Sequence, residues 1–79
     1  MNITEWMDLA IERAITYRKI GEAFELKDLF NGEEWNQLTR GERTTFGRAF
    51  ANAVRTGQTP GVEMLPIGKS RHNRYARVS

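Results

Sequence analysis

Residues Thr39 to Gly57, TRGERTTFGRAFANAVRTG, decide the fold because they combine a start signal, a stop signal and two distinct faces of one helix. Thr39 and Glu42 have the spacing of a capping box, which satisfies free N–H groups at a helix start. Gly57 tolerates the left-handed conformation that follows many helix ends. At about 100° per residue, the apolar side chains share one arc, namely Phe46, Ala49, Phe50, Ala53 and Val54. The stretch therefore predicts a helix over residues 40–56 that buries this arc.

The opposite arc of this helix is polar and cationic, and it contains Thr44, Thr45, Arg48, Asn52 and Arg55. A solvated helix face usually mixes Glu with Lys, because such pairs are mildly stabilising. Here no carboxylate is present, and Arg, Asn and Thr are donors that reach base edges and phosphates. We predict a recognition helix for a major groove. The alternative, a solubilising surface with an excess of arginine, stays open at this point.

Length and composition exclude several classes of protein. The chain has 79 residues and no cysteine, so we expect one small domain without disulfides or thiolate metal sites. The single histidine, His72, lies in a predicted loop, and we predict no catalytic residue, no metal site and no cofactor. No apolar run has the length of a membrane span, and the N-terminal stretch is acidic where a signal peptide is basic. We therefore expect a soluble cytoplasmic protein that is not an enzyme and does not bind membranes.

Charge is distributed unevenly along the chain. Residues 1–34 contain four basic and eight acidic side chains, a net charge of −4, whereas residues 35–79 contain eight basic and two acidic ones, a net charge of +6. Such an asymmetry orients a protein toward a polyanion. The basic residues also cluster on two predicted elements, the long helix and the C-terminal segment, which argues against a chance distribution.

The first element is an amphipathic helix predicted from about Ile3 to Ile20, capped by Asn2 and Glu5 and ended by Gly21. Its apolar arc covers about half the circumference and contains Ile3, Trp6, Met7, Ala10, Ile11, Ala14, Ile15 and Tyr17. This arc is wider than a small core needs, so part of it offers a surface for a second copy or another protein. The simpler alternative is that Trp6 and Tyr17 cover the edge of the core.

Between the two long helices, residues 22–26 alternate as one strand, residues 27–30 predict a brief helical turn that ends at a break at Asn31-Gly32, and residues 33–38 predict a short helix. The short helix, the turn at Thr39-Arg40-Gly41 and the long basic helix form a helix-turn-helix arrangement.

The C-terminal segment predicts a β-hairpin over residues 62–78. Its two extended runs flank a polar loop, and Pro66 favours an edge position. An isolated hairpin is marginal in water, and the Phe24 segment is the only other strand candidate to support it. The predicted fold is therefore mostly helical α+β, a single winged helix-turn-helix domain over residues 1–79. Its parts are an N-terminal helix (1–20), a core (23–57) with the recognition helix (40–56), and a wing hairpin (62–78).

The predicted function is sequence-selective binding of double-stranded DNA by a small transcriptional regulator. Base edges would be read by Thr44, Thr45, Arg48 and Asn52, and phosphates held by Arg40, Arg55, Lys69, Arg71 and Arg74. Arg43 falls nearer the core edge, where we expect it to pair with a carboxylate or reach the backbone. One module contacts only a short half-site, so we expect a homodimer or a protein partner, formed through the first helix.

A different class of function remains an alternative, namely a protein-binding adaptor or inhibitor that uses the acidic first half as its working surface. Recognition of structured RNA is less favoured, because the sequence supplies no exposed aromatic platform for stacking.

The runs FELKDLF, EEWNQL, GERTTFGRAFANAV, GVEMLP and HNRYARV resemble an uncharacterised family of short bacterial and phage proteins built as single winged-helix domains. The resemblance covers about residues 23–78 and leaves the first helix outside. It implies a fold rather than an activity, with Trp35, Phe46, Gly47, Phe50 and Tyr75 as scaffold residues. Because glycine inside a helix costs roughly 1 kcal/mol relative to alanine, we expect close packing against Gly47.

Overall fold

A computed structural model describes residues 2–66 and 73–79 of the chain. The order of elements is α1 (Ile3–Tyr17), β1 (Ala23–Phe24), a 3-10 helix (Leu26–Leu29), α2 (Gly32–Asn36), α3 (Arg40–Arg55), β2 (Val62–Met64) and β3 (Tyr75–Arg77). The predicted small α+β fold is confirmed. The tip of the predicted hairpin, with Lys69 and Arg71, lies outside the described residues. No helix in the described ranges has both the length and the apolar character needed to cross a membrane.

Helix α1 begins as predicted, with the Asn2 side chain accepting a hydrogen bond from the Glu5 N–H at 3.3 Å. Ala10 and Ala14 are fully buried, and Trp6, Met7, Leu9 and Ile11 pack against the core. Two assignments on this face were wrong. Leu9, placed outside the apolar arc, contacts the core, whereas Tyr17, placed inside it, is 73% exposed.

The end of α1 at Tyr17 comes three residues before the predicted one, because Arg18 leaves the helix in an extended conformation. Its carbonyl accepts a 2.7 Å hydrogen bond from Arg77 Nη1, and its guanidinium donates to the Glu22 carboxylate and the Asp28 carbonyl. Gly21 then turns the chain with a φ of 87°, a left-handed value that favours glycine. These contacts fix the path of the chain from α1 into the sheet.

The three strands form one antiparallel sheet in the order β1-β3-β2, so the C-terminal strand is central. Phe24 pairs with Tyr75, and Met64 pairs with the same Tyr75 from the other side. The Phe24 segment is therefore the supporting third strand that was predicted, and β2 lies at the edge as Pro66 indicated. Strands β2 and β3 have three residues each in the described parts of the chain. Beyond the hydrogen bond from Leu65 N to Arg74 O the chain reaches Pro66, which has no N–H to donate.

Helices α2 and α3 both start with capping boxes. Thr39 accepts from Glu42 N at 3.2 Å while Glu42 accepts from Thr39 N at 2.9 Å, as the spacing predicted. Asn31 and Glu34 make the same reciprocal pair at the start of α2. The predicted start of α2 at Glu33 was therefore late, because Asn31-Gly32 is the cap and first turn of the helix rather than a break before it. After α3, Gly57 has the expected left-handed φ of 74°.

The core is one cluster of buried side chains drawn from every helix and strand except α2, whose half-buried Trp35 packs against the cluster. Phe46 of α3 is fully buried and makes edge contacts with Trp6 of α1 and Phe30. Phe50, also fully buried, contacts the ring of Tyr75 in β3 edge-on, with the ring centroids 4.9 Å apart. Helix α3 therefore packs on α1 through one phenylalanine and on the sheet through the next, which holds its outer face in a defined orientation.

Candidate nucleic-acid interface

The outer face of α3 is exposed along its length. Thr44, Thr45, Arg48, Asn52 and Arg55 are all exposed, while Phe46, Phe50, Ala53 and Val54 are buried. The predicted division of this helix into a core face and a polar face is thus confirmed for these nine residues.

Two alanines of α3 depart from the predicted division. Ala49, assigned to the core, is half-exposed, and Ala51, assigned to neither face, is only 3% exposed. Ala51 lies on the wall of a groove with Leu26 and Tyr75. The core therefore extends further toward the 3-10 helix than the apolar periodicity of α3 alone indicates.

This groove, of about 1040 Å³, runs beside α3. One wall is α3, with Thr44, Arg48, Asn52 and Arg55 among its residues. The other wall consists of residues 25–27, at the start of the 3-10 helix, and residues 73 and 75, at the start of β3. The groove therefore joins the exposed face of α3 to the base of the predicted wing.

Four of the eight arginines in the described residues serve the fold. Arg13 donates to both carboxylate oxygens of Glu34 at 2.7 Å, and Arg18 and Arg77 join the end of α1 to β3. Arg43 donates to the Trp35 carbonyl from Nε and Nη2, at 3.3 and 3.1 Å, and lies 5.8 Å from the centre of the Trp35 ring. The prediction that Arg43 reaches the backbone is confirmed.

The remaining described arginines are available to a partner. Arg40, Arg48, Arg55 and Arg74 are exposed, and within residues 2–66 and 73–79 none of them makes a side-chain hydrogen bond or ion pair. Folding leaves their guanidinium groups hydrated and free to donate. Each of the four was predicted as a binding residue.

The structure groups some of the predicted site residues and separates others. Thr44, Arg48, Asn52 and Arg55 line the groove. Arg40, Thr45 and Arg74 are exposed outside it, and Lys69 and Arg71 fall beyond the described residues. The Thr44 hydroxyl donates to the Arg40 carbonyl one turn earlier at 3.1 Å, so its oxygen remains available chiefly as an acceptor.

Sequence reasoning missed four residues of the groove, namely Glu25, Lys27, Trp35 and Asn73. They lie on elements that reach α3 only through tertiary packing, and no local pattern marks them. Lys27 adds an exposed cation to the wall opposite α3, and Glu25 is the single carboxylate among the described lining residues.

Gly47 lines this groove and does not lie at a contact between two helices. A Cβ built on Gly47 meets no atom within 4 Å, so the expectation of close helix packing was wrong. The cost of glycine in the middle of α3 has no explanation in the packing of the domain. The open space above Gly47 lets a partner approach the helix backbone.

The two aromatic side chains at the groove, Trp35 and Tyr75, are half-buried and buried, respectively. Trp35 is half-buried, its ring stacks on Phe30 with the ring centroids 6.0 Å apart, and the guanidinium of Arg43 lies 5.8 Å from its centre. Tyr75 is 1% exposed, and burial raises the pKa of its phenol above 10.0 despite a hydrogen bond with Asn73 and the nearby charge of Arg55. The groove therefore presents cations and small side chains rather than rings.

These features define a small α+β domain whose free, exposed guanidinium groups form a candidate interface for a polyanion. The chain belongs to the family described as Domain of unknown function (DUF1413), which matches residues 10–77. No curated protein and no solved structure matches the sequence. Membership of an uncharacterised family is confirmed, whereas the bacterial or phage origin stays a prediction. The match begins within α1, so the first helix is not wholly outside the family as the resemblance suggested.

Proposed function

We propose that this domain is a winged helix-turn-helix that binds double-stranded DNA, with α3 as the recognition helix. The order of elements supports the proposal, since α2, a short turn and the longer α3 are followed by a hairpin whose second strand is central in the sheet. Helix α3 has 16 residues and is roughly 24 Å long at 1.5 Å per residue. Its bare outer face suits a major groove about 12 Å wide.

The observation that carries the proposal is the division of the arginines. Arg13, Arg18, Arg43 and Arg77 are used inside the fold, whereas Arg48 and Arg55 lie unpaired beside Asn52 on the outer face of α3. A helix face that is only solvated usually carries carboxylates among its basic residues. The outer face of α3 carries guanidinium and amide donors without carboxylates among them. Guanidinium and amide groups are those that pair with guanine and adenine edges in the major groove.

The roles of individual residues follow from their positions. Arg48 and Asn52, one turn apart, would read base edges with Thr45 and Thr44 beside them. Arg55 at the end of α3 and Arg40 at its start would hold phosphates on either side, together with Arg74 before β3 and with Lys69 and Arg71. The domain would act as a small regulator of transcription.

Binding to duplex DNA over a salt series tests the proposal. We expect the logarithm of affinity to fall linearly with the logarithm of salt concentration, with a slope of about −0.9 for each phosphate neutralised. Arg55→Ala should reduce this slope by about one contact without changing sequence preference. Asn52→Ala should relax preference at one or two base pairs, at a cost of about 1–3 kcal/mol.

Lys19→Ala is the matched control, because Lys19 is an exposed cation that follows α1 and does not line the groove. It removes one positive charge, as Arg55→Ala does, and should leave both affinity and slope nearly unchanged. Absence of binding to a random duplex pool at low salt would reject the proposal.

The outer face of α1 supports a second candidate, a protein-binding adaptor or inhibitor. Glu5, Asp8 and Glu12 are exposed on this helix, and their carboxylates have no hydrogen bond or ion pair within the described parts of the chain. A basic partner would find three carboxylates at helical spacing. If charge reversal at these three positions abolishes function while Arg48→Ala preserves it, the adaptor is the correct choice.

A further inference from the structure

Resting on the proposed function, we infer that the groove beside Gly47 receives the sugar-phosphate backbone of one DNA strand, with Lys27 on one wall and Arg55 on the other. The inference concerns which part of the duplex lies in the groove and which residues outside α3 touch it.

The first argument comes from the charges of the groove walls. Lys27, Arg48 and Arg55 line it from opposite sides, and none of them has a side-chain partner in residues 2–66 or 73–79. Cations on both walls of a trough suit a linear polyanion that passes between them. Lys27 belongs to the acidic half of the sequence, so its presence here is a consequence of folding and not of the basic C-terminal segment.

The second argument comes from the open space at Gly47. Glycine in the middle of a helix is unfavourable, and here a Cβ would meet no protein atom. Ala51, one turn later, also lines the groove, so two successive turns of α3 present small residues there. An external group such as a phosphodiester strand can therefore approach the helix within the groove that Lys27, Arg48 and Arg55 also line.

The third argument separates a strand backbone from unstacked bases. Proteins that bind single strands through their bases offer exposed aromatic faces for stacking. The Trp35 ring is half-buried and contacts Phe30 and Arg43, and Tyr75 is buried. The groove thus has the charge needed for phosphates but lacks the surface needed for bases.

Filling the groove is the direct test. Gly47→Leu introduces a good helix former into α3, and a Cβ at position 47 meets no atom within 4 Å, so the variant should fold. Its side chain would exclude a strand and remove the contacts of Lys27 and Arg55. We expect the affinity for duplex DNA to fall at least tenfold and the salt slope to fall by about two phosphate contacts, or about 1.8.

Gly32→Leu is the matched control, because Gly32 in the first turn of α2 also has open space around its Cβ and does not line the groove. It should bind as the wild type does. Thermal unfolding of both variants shows whether each is folded.

Glu25→Gln gives a test of opposite sign. Glu25 is the single carboxylate among the described lining residues, so its neutralisation should tighten duplex binding about two- to fivefold at low salt. Glu12→Gln removes the same charge from the outer face of α1 and should give a smaller gain. If the strand does not enter the groove, Glu25→Gln should not tighten duplex binding more than Glu12→Gln does.

The outcomes separate this inference from the proposed function. Suppose that the wild type binds duplex DNA, that Asn52→Ala relaxes its sequence preference, and that Gly47→Leu binds with unchanged affinity and salt slope. The groove then does not bind a strand, while the proposal that α3 is a recognition helix is still supported. If folded Gly47→Leu loses duplex binding and Glu25→Gln gains it, the inference is supported. Preference of the wild type for single strands over duplex would overturn it.

Discussion

Neutralising Glu34 with glutamine should destabilise the domain, because this carboxylate joins α2 to α1. Arg13 donates to its two oxygens at 2.7 Å each, and Arg13 also donates to the Leu29 carbonyl and lies 5.1 Å from the centre of the Phe30 ring. The bidentate hydrogen bond from Arg13 and the Asn31 N–H lower the pKa of Glu34 from 4.5 to about 2. Glutamine keeps an acceptor for the Asn31 N–H but removes the negative charge that pairs with the Arg13 guanidinium.

The magnitude follows from the lowered pKa and the exposure of the pair. A pKa of about 2 in place of 4.5 corresponds to at most about 3.4 kcal/mol, at 1.36 kcal/mol per unit. The side chains of Arg13 and Glu34 are 23% and 26% exposed, so water screens part of the attraction. We therefore expect Glu34→Gln to lower the free energy of unfolding by about 1–2 kcal/mol at pH 7, which for a domain of this size shifts Tm by roughly 4–16 °C.

The pH dependence has a defined sign. Because the folded-state pKa of Glu34 is depressed, its stabilisation is present above pH 4.5 and is lost as pH falls toward 2. Urea unfolding of the wild type and Glu34→Gln at several pH values measures the difference between them, which should be full at pH 7 and nearly absent at pH 2.

Glu33→Gln is the control for this prediction. Glu33 lies in the same first turn of α2, is exposed, and has no side-chain hydrogen bond or ion pair within the described residues. It shares the favourable position near the helix N-terminus but not the contact with Arg13. An equal loss of stability in both variants, or a Glu34→Gln difference that persists unchanged at pH 2, would refute the reasoning.

Two further measurements address α3 and the sheet. Gly47→Ala should raise the free energy of unfolding by about 1 kcal/mol, because a Cβ there meets no atom and alanine favours the helix; a lower Tm than that of the wild type would contradict this. In a Tyr17→Phe variant, which leaves Tyr75 as the single tyrosine, the phenolate absorbance should develop above pH 10.0, because burial raises the pKa of Tyr75. The stability conferred by its neutral phenol is complete below that pH and is lost as pH rises through the raised pKa, so development below pH 10.0 in the folded state would show that the phenol is not buried.

The elements of the fold were predictable where the signal is local. The capping box at Thr39 and Glu42 and the stop at Gly57 located α3 to within one residue. The sequence predicts a break at Asn31-Gly32 instead of the analogous box at Asn31 and Glu34, because Asn-Gly is also a turn signal and only the bonded geometry distinguishes the two. Local signals therefore place helices well when two of them agree, as they do for α3.

The groove was not predictable because it has no local signal. Gly47 was expected to mark a close helix contact, since glycine in a helix usually has a packing reason. The structure gives it open space instead, since the walls of the groove come from residues 25–27 and from the start of β3. Periodicity within α3 reports which side chains leave the core, but it does not report what stands opposite them.

The same limit applies to charge, and it changes how the cations should be counted. The division into an acidic and a basic half places Arg43 and Arg77 in the basic half, yet both are hydrogen-bonded within the fold. It places Lys27 with the acidic half, yet Lys27 lines the groove opposite α3. Since an arginine already held by a carbonyl has fewer free N–H donors and a restrained side chain, only the unpaired cations contribute fully to a polyanion interface. The charge asymmetry along the sequence therefore does not identify the residues of the proposed interface. The effect of a charge variant on binding should be predicted from whether the residue lines the groove.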